Sequence, residues 1–332
     1  MMVAALKSNT ETRSPDPVRL VSFEPSHSWI KRHDSEGTLM IQAGYRVNPV
    51  GMFLKNDENP LVVYAGSRRW YGAIACQGQH ESPLNVRKTD TSFLEGSFAA
   101  ALRPTDHAKE LVVVVSHWDL DEAEKMAKFL EGRQFDVTRN GTVIQCKVIK
   151  AIAELEGRGS YYLVRGQLRP GSSLLVEMGY GTAEEWVIDQ DGNFSGKASD
   201  TLSVGKLAEK IANDPTVRAQ LMGIAEAAVN QELISKALRS GTLGKMDAQT
   251  WSLVKTKYVA AWVESVKAYI RKTYAAELQT VSNVILTGGG AALLKDRLPA
   301  AFLIPDSPET ASVRGCYQHY LSLVGGAVDA QI

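Results

Sequence analysis

A carboxylate at the end of an apolar run, followed at once by small residues, is the pattern in this chain best suited to chemistry. Leu174-Leu175-Val176-Glu177-Met178-Gly179-Tyr180-Gly181-Thr182 has that form. A strand that ends in an acid and turns through glycines sets the acid beside free backbone N–H groups, which suits phosphates and a hydrated Mg²⁺. Gly179 and Gly181 let backbone approach an anion, Thr182 offers a hydroxyl, and Glu177 can hold a metal-bound water. A plain glycine hairpin fits the same residues. The matching stretch in the first half is Glu24-Pro25-Ser26-His27-Ser28-Trp29-Ile30-Lys31, with an acid, two hydroxyls and a lysine able to reach a phosphate. Pro25 removes a donor and no glycine is present, so anion contact rests there on Ser26, Ser28 and the remaining amides. His27 has no second His or Cys at a ligand spacing and reads as a surface histidine. Gly288-Gly289-Gly290, between an apolar run and a helical stretch, reads as a tight turn at a helix N-terminus, where a nucleotide can lie on bare backbone.

Other nucleotide patterns fit worse. A Rossmann fingerprint needs a glycine where Leu293 stands, and the near-miss from Gly192 to Lys197 is one residue short of a P-loop and runs into Ala198. No serine-hydrolase elbow, Cys-His signature or zinc pair is present, so hydrolysis, where it occurs, is directed at a phosphate.

The elements that must position these residues follow from periodicity. Val18–Phe23, Trp29–Arg32, Thr38–Ala43 and Leu61–Ala65 read as short strands and Leu111–Val115 as a strand buried on both faces. Asp119 and Glu122 open a helix with an Ala123, Met126, Ala127, Leu130 face, and Asn140-Gly141 marks a hairpin. Strands at Leu174–Met178 and Trp186–Ile188 are followed by helical stripes: Val204, Leu207, Ala208, Ile211, then Val217, Leu221, Ile224, Ala225, Ala228. A long helix carries Trp251, Val254, Tyr258, Trp262 and Val266, an aromatic stripe better explained by packing than by a ligand. Val281–Thr287 is a strand, Ala291–Leu298 a helix, and a last helix spans Val313–Gly325. The hairpin from Val21 has the same plan as the one from Leu175, which suggests two related domains facing a cleft.

Composition narrows the classes. At roughly 150 residues per domain, 332 residues suggest about two. With 37 Lys+Arg against 37 Asp+Glu the chain lacks the polycationic charge behind direct, sequence-independent DNA binding. Cys76, Cys146 and Cys316 are scattered and odd in number, which fits a reducing cytoplasm. Residues 1–17 read as a flexible tail without an export signal, and no apolar run approaches the roughly 20 residues that span a bilayer.

Together these pieces resemble the actin-like ATPases, and within them the bacterial plasmid-segregation filament proteins of the ParM type. Leu174 to Thr182 is similar to that family's second phosphate loop, Val284 to Ala291 to its adenosine loop, and Ala311-Ser312-Val313-Arg314-Gly315 to the segment opening its closing helix. Glu24 to Lys31 resembles the first phosphate loop in spacing only. The resemblance implies an α/β fold of two ribonuclease-H-like domains, residues 18–168 plus 308–332 and residues 169–307, with Mg²⁺ and ATP or GTP in the cleft. It also implies head-to-tail self-polymerisation, a separate DNA-binding adaptor protein and plasmid segregation or intracellular positioning. Carried over by position, Gly179, Tyr180, Gly181 and Thr182 hold the β- and γ-phosphates, with Ser26, His27, Ser28 and Lys31 opposite, while Gly288, Gly289 and Gly290 take the purine and ribose. Glu24 and Glu177 stand at the metal positions, acting through water, and Glu156 or Glu154 falls near the water-positioning acid, with Glu156 favoured. Where the family has Asp this chain has Glu24 and Glu177, one methylene longer, which points to slowed hydrolysis. Two further readings stay open: a nucleotide-indifferent structural filament, and a small-molecule kinase on the same fold.

Overall fold

A computed structural model describes residues 18–51, 54–76, 80–82, 86–223, 229–295 and 297–329, with residues 324–329 through their backbone alone. The tail at 1–17 and the positions Ile224, Ala225 and Ala228 of the expected helical stripe lie outside the described residues. In chain order the elements are β1 (Val18–Pro25), β2 (Trp29–Asp34), β3 (Gly37–Gln42), β4 (Tyr45–Val47), β5 (Leu61–Tyr64), β6 (Ser67–Tyr71), α1 (Thr91–Ala101), β7 (Glu110–His117), α2 (Leu120–Leu130), β8 (Gln134–Arg139), β9 (Thr142–Leu155) and α3 (Glu156–Val164). They continue with β10 (Ser173–Met178), β11 (Ala183–Ile188), β12 (Phe194–Ser199), α4 (Val204–Ala212), α5 (Pro215–Met222), α6 (Gln231–Ser240), α7 (Ala248–Thr273), β13 (Asn283–Thr287), α8 (Gly288–Leu294), β14 (Phe302–Leu303) and α9 (Ala311–Asp329). The chain divides into two units, Met1–Gly166 with Thr310–Ile332, and Gln167–Glu309.

The first unit is built on a sheet of order β3-β2-β1-β7-β9-β8-β5-β6-β4. β1, β7 and β9 run parallel, so their C-terminal ends share one edge. β7 is the apolar run expected from its valines, with Leu111, Val113, Val114 and Val115 fully buried. α2 starts where Asp119 accepts hydrogen bonds from the Asp121 and Glu122 amides and covers the sheet with Ala123, Met126, Ala127 and Leu130. Asn140 and Gly141, at φ of 55° and 94°, make the left-handed turn that joins β8 to β9. Phe98 of α1 packs between Phe23 and Phe135, with ring centroids 5.1 and 4.8 Å away. Arg32 is buried against Asp34 and Asp106; its Nη2 lies 2.8 Å from Asp106 Oδ1.

The second unit repeats that plan. Its sheet has the order β12-β11-β10-β13-β14, an antiparallel meander followed by two parallel strands, as in β3-β2-β1-β7-β9. Leu174, Val176 and Met178 face a core with Leu207, Ile211, Trp251, Trp262 and Val266, so the aromatic stripe of α7 packs inward. Glu185 on β11, also buried, accepts hydrogen bonds from Tyr269 (3.1 Å) and Tyr274 (2.5 Å). The triple glycine differs from expectation: it forms the first turn of α8, which ends at Leu294 instead of reaching Leu298. Among the described residues no helix is long and apolar enough to cross a membrane.

Candidate phosphate and nucleotide loops

Glu24 and Glu177 occupy equivalent places, each the penultimate residue of the first strand of its sheet and each buried. Each faces the residue seven positions later across the hairpin: Glu24 opposes Lys31 and Glu177 opposes Glu184. The two hairpins therefore differ in charge at one matched position.

In the first unit Lys31 Nζ donates to Glu24 Oε1 at 2.5 Å, while Glu24 Oε2 is buried without a hydrogen-bond partner among the described residues. Burial raises the Glu24 pKa and the neighbouring Lys31 opposes that rise, with Glu156 adding to it. Ser26 is used inside the hairpin, donating from both its amide (3.0 Å) and its hydroxyl (2.8 Å) to the Trp29 carbonyl. His27 is half-buried and not on the surface as expected: its Nε2 lies 2.6 Å from the Val86 carbonyl and its ring beside Phe93. Burial lowers its pKa, as does the charge of Lys88. Ser28 is half-buried in the same turn, its carbonyl accepting from the Ala43 amide.

Glu154 and Glu156 part company because the strand ends between them. Glu154, still on β9, accepts from its neighbour Leu155's amide, Arg158 (2.9 Å) and Tyr320 (3.0 Å), and is fully engaged. Glu156 opens α3 and pairs with Lys88 at 2.7 Å, in the charged cluster at the strand ends that also holds Glu24, Lys31 and His117. Lys88 and His117 carry no motif, and only the fold brings them there.

In the second unit the Glu177 row runs across three strands, Glu184–Glu177–Thr287, and all three residues are buried. Among the described residues the Thr287 hydroxyl has no hydrogen-bond partner. The loop after β10 is held by its own amide, Gly179 N to Thr182 O at 2.8 Å, and by the start of α4, where Val204 and Gly205 donate to Gly179 and Tyr180. Gly179 and Gly205 have packing reasons, since a Cβ on either would press on the Thr182 or Tyr180 carbonyl. Gly181 has none: among the described residues nothing lies within 4 Å of a Cβ there, and it and Thr182 are exposed. Gly288, at φ +79°, and Gly290 are enforced by Met178 and Trp262, whereas a Cβ on Gly289 would overlap the Arg239 guanidinium. Arg239, on α6, is a further residue the sequence did not single out.

This donor set fits a metal held through water and phosphate oxygens. Among the described residues no three His, Cys, Asp or Glu side chains gather as direct ligands, while Glu24 keeps one buried oxygen uncommitted.

No protein-family model matches the chain. No curated protein matches it either. Solved structures do. The archaeal actin homologue Ta0583 superposes with a TM-score of 0.70 at 17% identity, covering 91% of this chain and 99% of its own, and has also been solved with ADP. The apo pSK41 ParM protein gives 0.67 at 14% identity, covering 94% and 99%, and the 15-stranded ParM filament from Clostridium botulinum 0.70 at 12%, covering 91% and 98%. Over nearly its whole length the chain has the actin-like fold.

Proposed function

We propose that this chain is a polymerising actin-like protein that binds a nucleoside triphosphate, ATP or GTP, with Mg²⁺ through the loops after β1, β10 and β13. The observation that carries the reading is the repeat itself: two sheets of one plan, each with a buried glutamate just before its first hairpin turn. The ADP complex of the archaeal homologue and the filament built by the Clostridium botulinum ParM, said of those proteins, support it.

In this reading the amides and hydroxyl of Gly179–Thr182 bind phosphate oxygens, and Gly181 leaves room for them. Bound Mg²⁺ neutralises phosphate charge. Glu24 and Glu177 would hold the ion through water, and Glu156 would orient the attacking water. Gly288–Gly290 and the Arg239 guanidinium take the base and ribose. A misplacement of about 1 Å costs on the order of 100-fold in rate, so the longer Glu24 and Glu177 side chains make turnover slow. A head-to-tail contact that does not close gives a filament from a single surface pair. With 37 basic and 37 acidic residues, DNA is reached through a separate basic adaptor, for plasmid segregation or intracellular positioning.

One observation favours a second reading, a filament indifferent to nucleotide: Lys31 is paired with Glu24 and Ser26 with Trp29, so the first loop offers little to a phosphate. Light scattering with negative-stain microscopy, comparing no nucleotide, ATP, GTP and a non-hydrolysable analogue in Mg²⁺ or EDTA, separates the two. Filaments that need nucleotide and Mg²⁺ are expected. Filaments in every condition would establish the second reading, and soluble monomers with substrate-dependent ATP use would point to a small-molecule kinase.

A further inference from the structure

Away from these loops, the first unit holds a cavity of about 130 Å³ between the inner face of the β5–β6 hairpin and the first turns of α1, lined by Tyr64, Ser67, Arg69, Tyr71, Glu95 and Gly96 among others. That is several times the roughly 10–15 Å³ that one water needs, and leaves room for one small polyatomic ion. We propose that it is a binding site for a small oxyanion, carboxylate or phosphate, held by Arg69 and Tyr71.

Arg69 has the required charge and a weak set of internal partners. Among the described residues it forms no ion pair within 4.0 Å, and its hydrogen bonds, to Ser67 Oγ (3.3 Å), the Tyr71 hydroxyl (3.4 Å) and the Ser92 carbonyl (3.4 Å), are all long and all to neutral oxygens. A guanidinium matched to a planar or tetrahedral anion binds at about 2.7–2.9 Å. The acid in the wall, Glu95, is paired with Arg133. The Tyr71 hydroxyl is buried, accepts from Arg69, and its own hydrogen has no acceptor among the described residues, leaving it to donate into the cavity. Burial pushes this phenol up to about 12, so it keeps that hydrogen at neutral pH. The Tyr45 ring, 4.8 Å from the guanidinium carbon, fixes the side chain from the other face. Gly96 completes the arrangement, because a Cβ there would overlap both the guanidinium and the Tyr71 hydroxyl.

The test is arginine modification by phenylglyoxal on the full chain, read at Arg69 by peptide mass spectrometry, with inorganic phosphate or acetate as protectant. Arg69 modification is expected to slow roughly threefold once free anion reaches about twice its dissociation constant, following 1 + [L]/Kd. Protection by one anion alone identifies the ligand's shape. Gly96→Ala should abolish protection, while Gly181→Val, which alters only the second-unit loop, should retain it. An Arg69 rate unchanged by tens of millimolar of both anions, or equal protection in Gly96→Ala shown folded by circular dichroism, overturns the proposal.

Discussion

Gly181 separates what the fold requires from what the proposed nucleotide would require. Its neighbours Gly179, Gly205, Gly288 and Gly290 are forced by nearby backbone or side chains, but Gly181 meets nothing and has no left-handed φ. Gly181→Val should therefore change the unfolding free energy by no more than about 0.5 kcal/mol, the range of exposed substitutions, while abolishing nucleotide binding in a fluorescent-analogue titration. The buried Arg32–Asp106 pair gives the opposite result. Burial alone would raise the Asp106 pKa, yet the Arg32 guanidinium and the Arg103 amide hold it below its ordinary 3.8. A carboxylate with a lowered folded pKa stabilises above its unfolded value, so this contribution is complete above pH 3.8 and is lost as pH falls below it. Asp106→Asn should cost about 3–5 kcal/mol at pH 7, measured by urea unfolding, because Arg32 loses its better partner in a buried place. At this scale the sequence showed the acids and glycines but not what surrounds them. Spacing could not tell Glu154 from Glu156, because the strand ends between them, and Lys88, His117 and Arg239 join the loops only through long-range packing.

The elements legible in advance were those with one clear period: the valine run of β7, the amphipathic α2, the Asn-Gly hairpin and the glutamate-ended strand before Gly179. α1 escaped notice because Phe93, Leu94 and Gly96–Ala101 are all buried, leaving no polar face to set a helical rhythm. α3 escaped for another reason. Its Gly157 and Gly159 are poor helix formers, and the role of Gly159 is visible only against α9, where a Cβ on Gly315 would overlap the Gly159 carbonyl and a Cβ on Gly159 the Ser312 carbonyl. Helix backbones in such contact tolerate no added methyl. Gly315→Ala should destabilise the protein by about 1–3 kcal/mol, seen as a lower midpoint in chemical denaturation with unchanged slope. Stacking of His319 on Tyr162, 3.8 Å between ring centroids, extends the same helix pair.

For the molecule as a whole, nucleotide binding predicts a thermal signature independent of assembly. At a hundredfold excess over the dissociation constant, ligand adds about 2.7 kcal/mol, and a 1 kcal/mol gain raises the melting temperature by about 2–4 °C in domains of 150–250 residues. Differential scanning fluorimetry of dilute protein should show that rise with Mg-nucleotide and lose it in EDTA; no rise with either nucleotide would count against the proposed site. The internal repeat was readable from the sequence as two similar hairpins, but the shared strand order that gives it meaning needed parallel pairings between segments far apart in the chain. The partition of the chain has a consequence for its biogenesis. Gln167–Glu309 is one uninterrupted stretch, whereas the other unit draws α9 from beyond it to pack on α3 and β1. The inserted unit has its sheet and core within one stretch of chain, while the one begun earlier lacks a wall until α9 is added, so the first unit to start is the last to finish. A chain truncated after residue 309 should be protease-resistant only over the inserted stretch.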